Sequence, residues 1–328
     1  MNEKEQILVS ISCVTYNHKA YIRDCIDGFL MQKTNFRFEI LIHDDASTDG
    51  TAGIIREYER KYPDLIKPIY QVENQYSQGI NPGRINSNRA TGKYIAYCEG
   101  DDYWTDPLKL QKQVDFLENN PEYGLVCTNV RIYNQETNVF KEAKYTESKD
   151  ITYEELISDR KSKITPLTVC YRKELLSVIK NTIHEELNPP KYFTGDIYLY
   201  FNIALVSQIR CIPDVTGVYR ILRESMTHSK TDKRRLIAFS SKTSNTMLYY
   251  LENHPIQNKE VVRRLKFQHT LAVCKYTIIS GDYNTLRAIH LSLPYDCSVK
   301  RHLLFVFYFL CKCKLFFDLF SRIYCKYI

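Results

Sequence analysis

Glu99, Asp101 and Asp102 put three carboxylates into four consecutive residues, with Gly100 between the first two. Such groups repel one another unless a cation joins them. Hard oxygen donors on a short turn suit Mg²⁺ or Mn²⁺, which commonly takes one or two protein carboxylates together with phosphate oxygens. The plainer alternative is a solvated acidic turn ahead of the helix that follows Tyr103 and Trp104. A second acidic pair, Asp44 and Asp45, precedes the turn-forming run from Ala46 to Gly50. Asp49 or Thr48 is a good helix N-cap and Gly50 eases a tight turn, so part of this stretch is helix initiation. Asp44 and Asp45 are not needed for that, and a carboxylate there could accept hydrogen bonds from a base N–H or a ribose hydroxyl. Tyr16, between Thr15 and Asn17, could lie flat against a base.

The elements that must position these groups are legible in the hydrophobic periodicity. Ile7 to Val14 is a short, β-branched, nearly all-apolar run, as expected of a strand covered on both faces. Ile22, Cys25, Ile26, Phe29 and Leu30 then repeat at helical spacing. Phe38 to Ile42 reads as strand, Thr51 to Tyr62 as a helix stopped by Pro63, and Ile66 to Val72 as strand. Tyr94 to Cys98 and Gly124 to Ile132 are further strands, with Pro107 to Asn119 a helix between them. This alternation predicts an α/β fold, a mostly parallel Rossmann-like sheet with helices on both faces. Ligands bind such sheets beyond the carboxyl ends of the strands. Thr15-Tyr16-Asn17, Asp44-Asp45 and the Glu99–Asp102 turn all fall at those ends. Farther on, Ile164 to Tyr171 reads as strand, Asp196 to Leu205 as a helix, and the pattern from Leu236 onward is helical.

Other nucleotide and nucleophile signatures fail. No GxGxxG follows the first strand, and neither GxxxxGK[ST] nor GxSxG occurs. What is present, in order, is VSISCVTYN over Val9 to Asn17, FEILIHDDASTDGT over Phe38 to Thr51, and RATGKYIAYCEGDDYW over Arg89 to Trp104. Together these resemble the family 2 inverting glycosyltransferases of the GT-A fold, of bacterial polysaccharide or lipopolysaccharide type, over roughly residues 7 to 225.

The resemblance implies a donor site holding a nucleotide diphosphate sugar through Thr15, Tyr16, Asn17, Asp44, Asp45, Glu99 and Asp101, with Tyr16 stacking and Asp45 hydrogen-bonding the nucleoside. It implies a divalent metal, Mn²⁺ or Mg²⁺, near Asp101 and Asp102, with His228 as a further ligand. Glu99 stands where the family's first acid is Asp. Asp196, after Thr194 and Gly195, matches the catalytic base, and Val218-Tyr219-Arg220 the segment that closes over the diphosphate. From the residues alone, Asp196 reads equally as a first-turn acid favoured by the helix dipole. The implied organisation is a GT-A domain over 1–230, with a nucleotide-sugar half at about 1–135 and an acceptor half at about 136–230. A helical region with a basic amphipathic tail follows over 231–328. The implied acceptor is a glycan or lipid-linked sugar. The Gln-x-x-Arg-Trp motif of processive synthases is absent, since the single tryptophan is Trp104. A nucleotidyltransferase on a similar sheet would need a Gly-rich basic loop after the first strand, and a sugar-nucleotide-binding scaffold would not need Asp196.

Composition bounds the rest. With 328 residues, 44% apolar and 25% charged, the chain can bury a core. Its eleven cysteines include no CxxC pair or Cys/His ligand spacing, which fits a reducing cytoplasm better than a disulfide framework or a zinc site. The net charge of +7 concentrates in the tail, where Lys300, Arg301, Lys312, Lys314, Arg322 and Lys326 face one acid, Asp318. A near-neutral remainder argues against a nucleic-acid binder. Polar Met1 to Gln6 carries no signal-peptide pattern, and no apolar run reaches the ~18 residues of a membrane span. The tail's mixture of aromatics and cations fits a segment lying at an anionic membrane surface, the alternative being a closing helix packed on the domain. The expectation is a cytoplasmic protein at the inner face of the membrane.

Overall fold

A computed structural model describes residues 6–141, 147–158, 164–182, 195–223, 233–282 and the single positions 284, 314, 317, 318 and 321. The chain divides into two units, one of residues 1–191 and 199–221, the other of 192–198 and 222–328.

In the first unit the elements run β1 (Ile7–Thr15), α1 (Ile22–Leu30), β2 (Arg37–Asp44), α2 (Thr51–Lys61), β3 (Ile66–Tyr70), α3 (Pro82–Arg89), β4 (Tyr94–Glu99), β5 (Tyr103–Trp104) and α4 (Lys109–Asn119). There follow β6 (Tyr123–Asn134), β7 (Val139–Lys141), β8 (Lys149–Asp150), α5 (Tyr153–Ser158), β9 (Cys170–Arg172) and α6 (Leu175–Thr182). α7 (Gly195–Val206), whose residues up to Tyr198 fall in the second unit, and β10 (Gln208–Ile221) complete the series. The described strands form one sheet of order β3-β2-β1-β4-β9-β6-β10-β5, with β7 on β6 and β8 on β10. β3, β2, β1 and β4 are mutually parallel, as are β6 and β10; β9 runs antiparallel between β4 and β6. The expected mostly parallel α/β sheet is therefore present, with one reversed strand inside it.

The core follows the periodicity. Val9, Ile11 and Cys13 of β1 pack with Ile40 and Ile42 of β2, with Ile22, Cys25, Ile26 and Phe29 of α1, and with Leu110, Val114 and Leu117 of α4. Trp104 is buried edge-on to Phe29 at 4.8 Å and donates its indole N–H to the Leu167 carbonyl at 2.8 Å. Beneath it Lys109 is wholly buried, its Nζ 4.2 Å from the Trp104 ring and 2.6 Å from Gln113 Oε1. Burial pulls that amine down to about 8.

At the start of β4, buried Glu39 accepts from Ser10 Oγ at 2.7 Å, Lys67 Nζ at 2.7 Å, Thr91 N at 2.8 Å and Thr91 Oγ1 at 2.7 Å. Burial works to raise this carboxyl, but the Lys67, Thr91 and Ser10 donors outweigh it and hold it at about 2. Gly92 lets the chain pass here: a Cβ would lie 2.7 Å from Ser10 N and 2.8 Å from the Val9 carbonyl carbon.

Two expectations change. The strand expected over Ile164 to Tyr171 is only the three-residue β9, because Pro166–Thr168 forms a 3₁₀ turn first. The helix expected from Pro107 begins at Lys109.

The second unit contains α8 (Lys233–Asn253) and α9 (Lys259–Ser280), the helices expected after Leu236. Asn258 caps α9 through Val261 N at 3.2 Å, and Gly281 ends it at φ 74°. His269 Nε2 lies 2.7 Å from Asn245 Oδ1, joining the two helices. Most of the basic tail lies outside the described residues; within it, Phe317 is fully buried and Ser321 Oγ donates to the Ile278 carbonyl at 2.5 Å. Among the described residues, no helix is long and apolar enough to cross a membrane.

Candidate active site

The parallel register brings the strand-end groups at Thr15, Asp44 and Glu99 to one edge. Thr15 stands opposite Asp44 on β2, Val14 opposite Glu99 on β4, and Asp44 opposite Tyr70 on β3. Neighbouring strands that end at the same level aim their following loops at the same space.

The first two loops are stitched together. Asn17 adopts a left-handed backbone (φ 57°), which Asn tolerates well. Its side-chain oxygen accepts Thr48 N at 2.8 Å, its own N–H goes to Ser47 Oγ at 2.8 Å, and Asp49 accepts Lys19 N at 2.9 Å. Asp49 Oδ1 also accepts Thr51 N at 2.9 Å, but from one residue before the N-cap, which is Gly50 rather than the expected Asp49 or Thr48. Asn17 thus shapes the loop with the carboxamide that was expected to meet a ligand. Tyr16 between them is 45% exposed, an open ring at the strand end.

The two adjacent aspartates differ. Asp45 is buried and already engaged: its carboxylate accepts Gln75 N at 2.8 Å and Tyr76 N at 3.1 Å, with His43 Nε2 at 3.5 Å. It therefore ties down the segment after β3. Asp44 is equally buried, but its Oδ1 has no hydrogen-bond partner, and burial raises the carboxyl above the usual range.

Glu99, Asp101 and Asp102 place one carboxylate oxygen each within 4.8 Å of one another. Asp102 is 1% exposed; Oδ1 accepts the Arg220 backbone N–H at 2.8 Å, while Oδ2 has no partner. Burial, then the charges of Asp101 and Glu99, push its carboxyl well above the usual range. An orphaned buried oxygen on one of three clustered carboxylates is the environment a divalent cation would satisfy, so the residues fit such an ion. Gly100 permits the close approach of this turn to β1: a Cβ there would sit 2.6 Å from Thr15 Oγ1. His18 Nε2 lies 4.0 Å from Asp101 Oδ2. The sequence reading missed His18, although it directly follows the Tyr16-Asn17 pair. It also missed Asp24, which pairs with Arg220.

Asp196 opens α7 and belongs to the second unit. Its Oδ1 accepts Ile197 N at 2.8 Å, and burial raises its carboxyl above the ordinary value. His228 lies outside the described residues.

The sheet order and the acidic turn at its edge define a protein of the GT-A type. The chain belongs to glycosyl transferase family 2, whose model matches residues 10–179. An uncharacterized protein of Mycobacterium tuberculosis is 35% identical over 230 residues, 69% of this chain and 63% of the relative, so the chain matches less than two thirds of that relative's length. The Escherichia coli UDP-Glc:alpha-D-GlcNAc-diphosphoundecaprenol beta-1,3-glucosyltransferase WfgD is 28% identical over 76% of this chain and 93% of its own. The fold is shared with S. aureus TarS 1-349 in complex with UDP-GlcNAc, at TM-score 0.62 and 17% identity over 96% of this chain and 90% of that one.

Proposed function

We propose that the protein is an inverting glycosyltransferase that moves a sugar from a nucleotide diphosphate donor to a glycan or lipid-linked acceptor in capsule, lipopolysaccharide or exopolysaccharide synthesis. The observation that carries this reading is the convergence of Tyr16, Asp44 and the Glu99–Asp102 turn at one sheet edge, with buried Asp44 and Asp102 oxygens lacking partners. Family membership supports it.

In this reading Tyr16 stacks on the base, while Thr15, Asn17, Asp44 and Asp45 hold the nucleoside side of the donor, Asn17 and Asp45 largely through the loops they fix. Glu99, Asp101 and Asp102, with His228, would hold a divalent cation, Mn²⁺ or Mg²⁺. When bound, such an ion supplies positive charge that stabilises the departing diphosphate. Asp196 takes the proton from the acceptor hydroxyl as that oxygen attacks the anomeric carbon in line, so the configuration inverts and no covalent sugar-enzyme intermediate forms. Its raised pKa suits that work, since a more basic carboxylate is a stronger proton acceptor.

We assign the GT-A domain to 1–230, and place the protein in the cytoplasm at the inner membrane face through the basic tail. A nucleotidyltransferase is not favoured, because Thr15 to His18 is not a Gly-rich basic loop.

The test is a donor screen: purified protein with a panel of nucleotide sugars and Mn²⁺, reading nucleotide release and acceptor product. UDP-linked glucose and N-acetylglucosamine come first, after the donors named with WfgD and TarS. Transfer from one donor to a saccharide acceptor is the expected result; no donor turned over, with every acceptor class offered, would refute the reading.

A further inference from the structure

Arg220, near the end of β10, reaches the acidic turn in an unusual way. Its side chain is 7% exposed. The guanidinium lies 4.3 Å from the Tyr103 ring centroid and 5.3 Å from that of Tyr21. Nη1 donates to the main-chain carbonyl of Asp101 at 2.8 Å, and Nη2 donates to a carboxylate oxygen of Asp24. The backbone N–H of the same residue donates to Asp102 Oδ1 at 2.8 Å. One residue thus fixes the peptide of the second acid and one oxygen of the third. Asp102 Oδ2 is left as the acceptor without a partner.

The pairing with Asp24 decides which effect of this arginine dominates. A buried guanidinium beside three carboxylates would oppose an incoming cation by charge. Here Asp24 offsets that charge locally, so what remains is geometry. The fork needs a planar, multi-donor group that can stack and bond in two directions, which a lysine cannot supply.

We propose that Arg220 is a positioning residue for a divalent cation: it holds the Asp101–Asp102 segment with Asp102 Oδ2 turned into the carboxylate cluster. The resemblance casts Val218-Tyr219-Arg220 as the segment that closes over the diphosphate; the Arg220 side chain, in addition, supports the acids. The proposal rests on the cluster being a cation site. Ligand-orienting partners of this kind are commonly worth 10–100-fold in metal affinity.

The test titrates Mn²⁺ alone, without nucleotide, into the full chain and reads free Mn²⁺ by electron paramagnetic resonance, with folding checked by circular dichroism. Arg220→Met and Arg220→Lys should each bind Mn²⁺ about 10-fold or more weakly. Asp24→Asn, at a side chain 58% exposed, should weaken binding by a smaller factor and serves, with Arg220→Lys, if Arg220→Met does not fold. Affinity within twofold of the unaltered chain in a folded Arg220 variant overturns the proposal. So does tighter binding in Arg220→Met, which would show that the guanidinium acts only by charge. Failure of the unaltered chain to bind Mn²⁺ refutes the cation site itself, and this inference with it. Binding that survives the Arg220 substitutions refutes this inference alone.

Discussion

Two aspartates with raised pKa values carry different work. Asp196 is the proposed base, and a base acts only when ionised, so turnover should rise with pH through its folded pKa. Because burial raises that pKa, the acid limb of the kcat profile should lie above the ordinary carboxylate range. Asp196→Asn keeps the shape and loses the acceptor; turnover should fall by ~10²-fold or more while donor affinity, measured by calorimetry, changes little. Asp102 presents the opposite balance. Its folded pKa is raised, so the metal-free protein loses stability as pH climbs from the unfolded carboxylate value through the folded one. Asp102→Asn removes that penalty and can still accept from the Arg220 N–H. The variant should therefore match or exceed the unaltered protein's Tm without metal, yet lose the Mn²⁺-dependent rise in Tm that thermal scans should show for the unaltered chain. The acids themselves were readable from spacing. The division of labour between Asp44 and Asp45 was not, because it depends on where Gln75 and Tyr76 return, thirty residues away in sequence.

Among the elements, the Glu39 knot holds β1, β2, β3 and the start of β4 together. Its folded pKa is depressed, so its stabilisation is fully present above the unfolded carboxyl value and is lost as pH falls toward about 2. Glu39→Gln should cost on the order of 2 kcal/mol at neutral pH and flatten the loss of stability below pH 4.5, measured by urea unfolding across pH. Gly92→Ala should destabilise by about 1–3 kcal/mol in the same assay, since the atoms its Cβ would meet are backbone and cannot rotate away. α1, α2 and α4 were legible because each carries an apolar stripe. α3 was not: its sequence PGRINSNR has one large apolar residue. It forms because Asn81 caps it, Pro82 starts it, and buried Asn86 donates to the carbonyls of Cys13 and Leu41 at 3.0 Å each. Such bonds to strand carbonyls exist only once the sheet is assembled.

For the molecule as a whole, the membrane proposal can be tested without deleting residues that pack. Phe317 is buried while Lys314, the one described cation of the tail, is exposed, so a test that changes charge and keeps the apolar residues is preferred. The full chain should pellet with anionic vesicles and be released by salt. Replacing Lys300, Arg301, Lys312, Lys314, Arg322 and Lys326 by Gln should abolish pelleting with no change in circular dichroism; equal pelleting would remove the tail from the account. What the sequence determined by itself was the α/β alternation and the placing of Thr15, Tyr16, Asp44, Asp45 and the Glu99–Asp102 turn at strand ends. Both follow from periodicity, a local property that side-chain spacing records directly. What only the tertiary structure decided was partnership: that β9 enters the parallel sheet reversed, that both Asp45 oxygens are occupied while Asp44 Oδ1 is not, and that Asp102 finds Arg220 118 residues later. Those outcomes depend on which strands become neighbours, and that is set by the burial of the whole sheet rather than by any one stretch of chain.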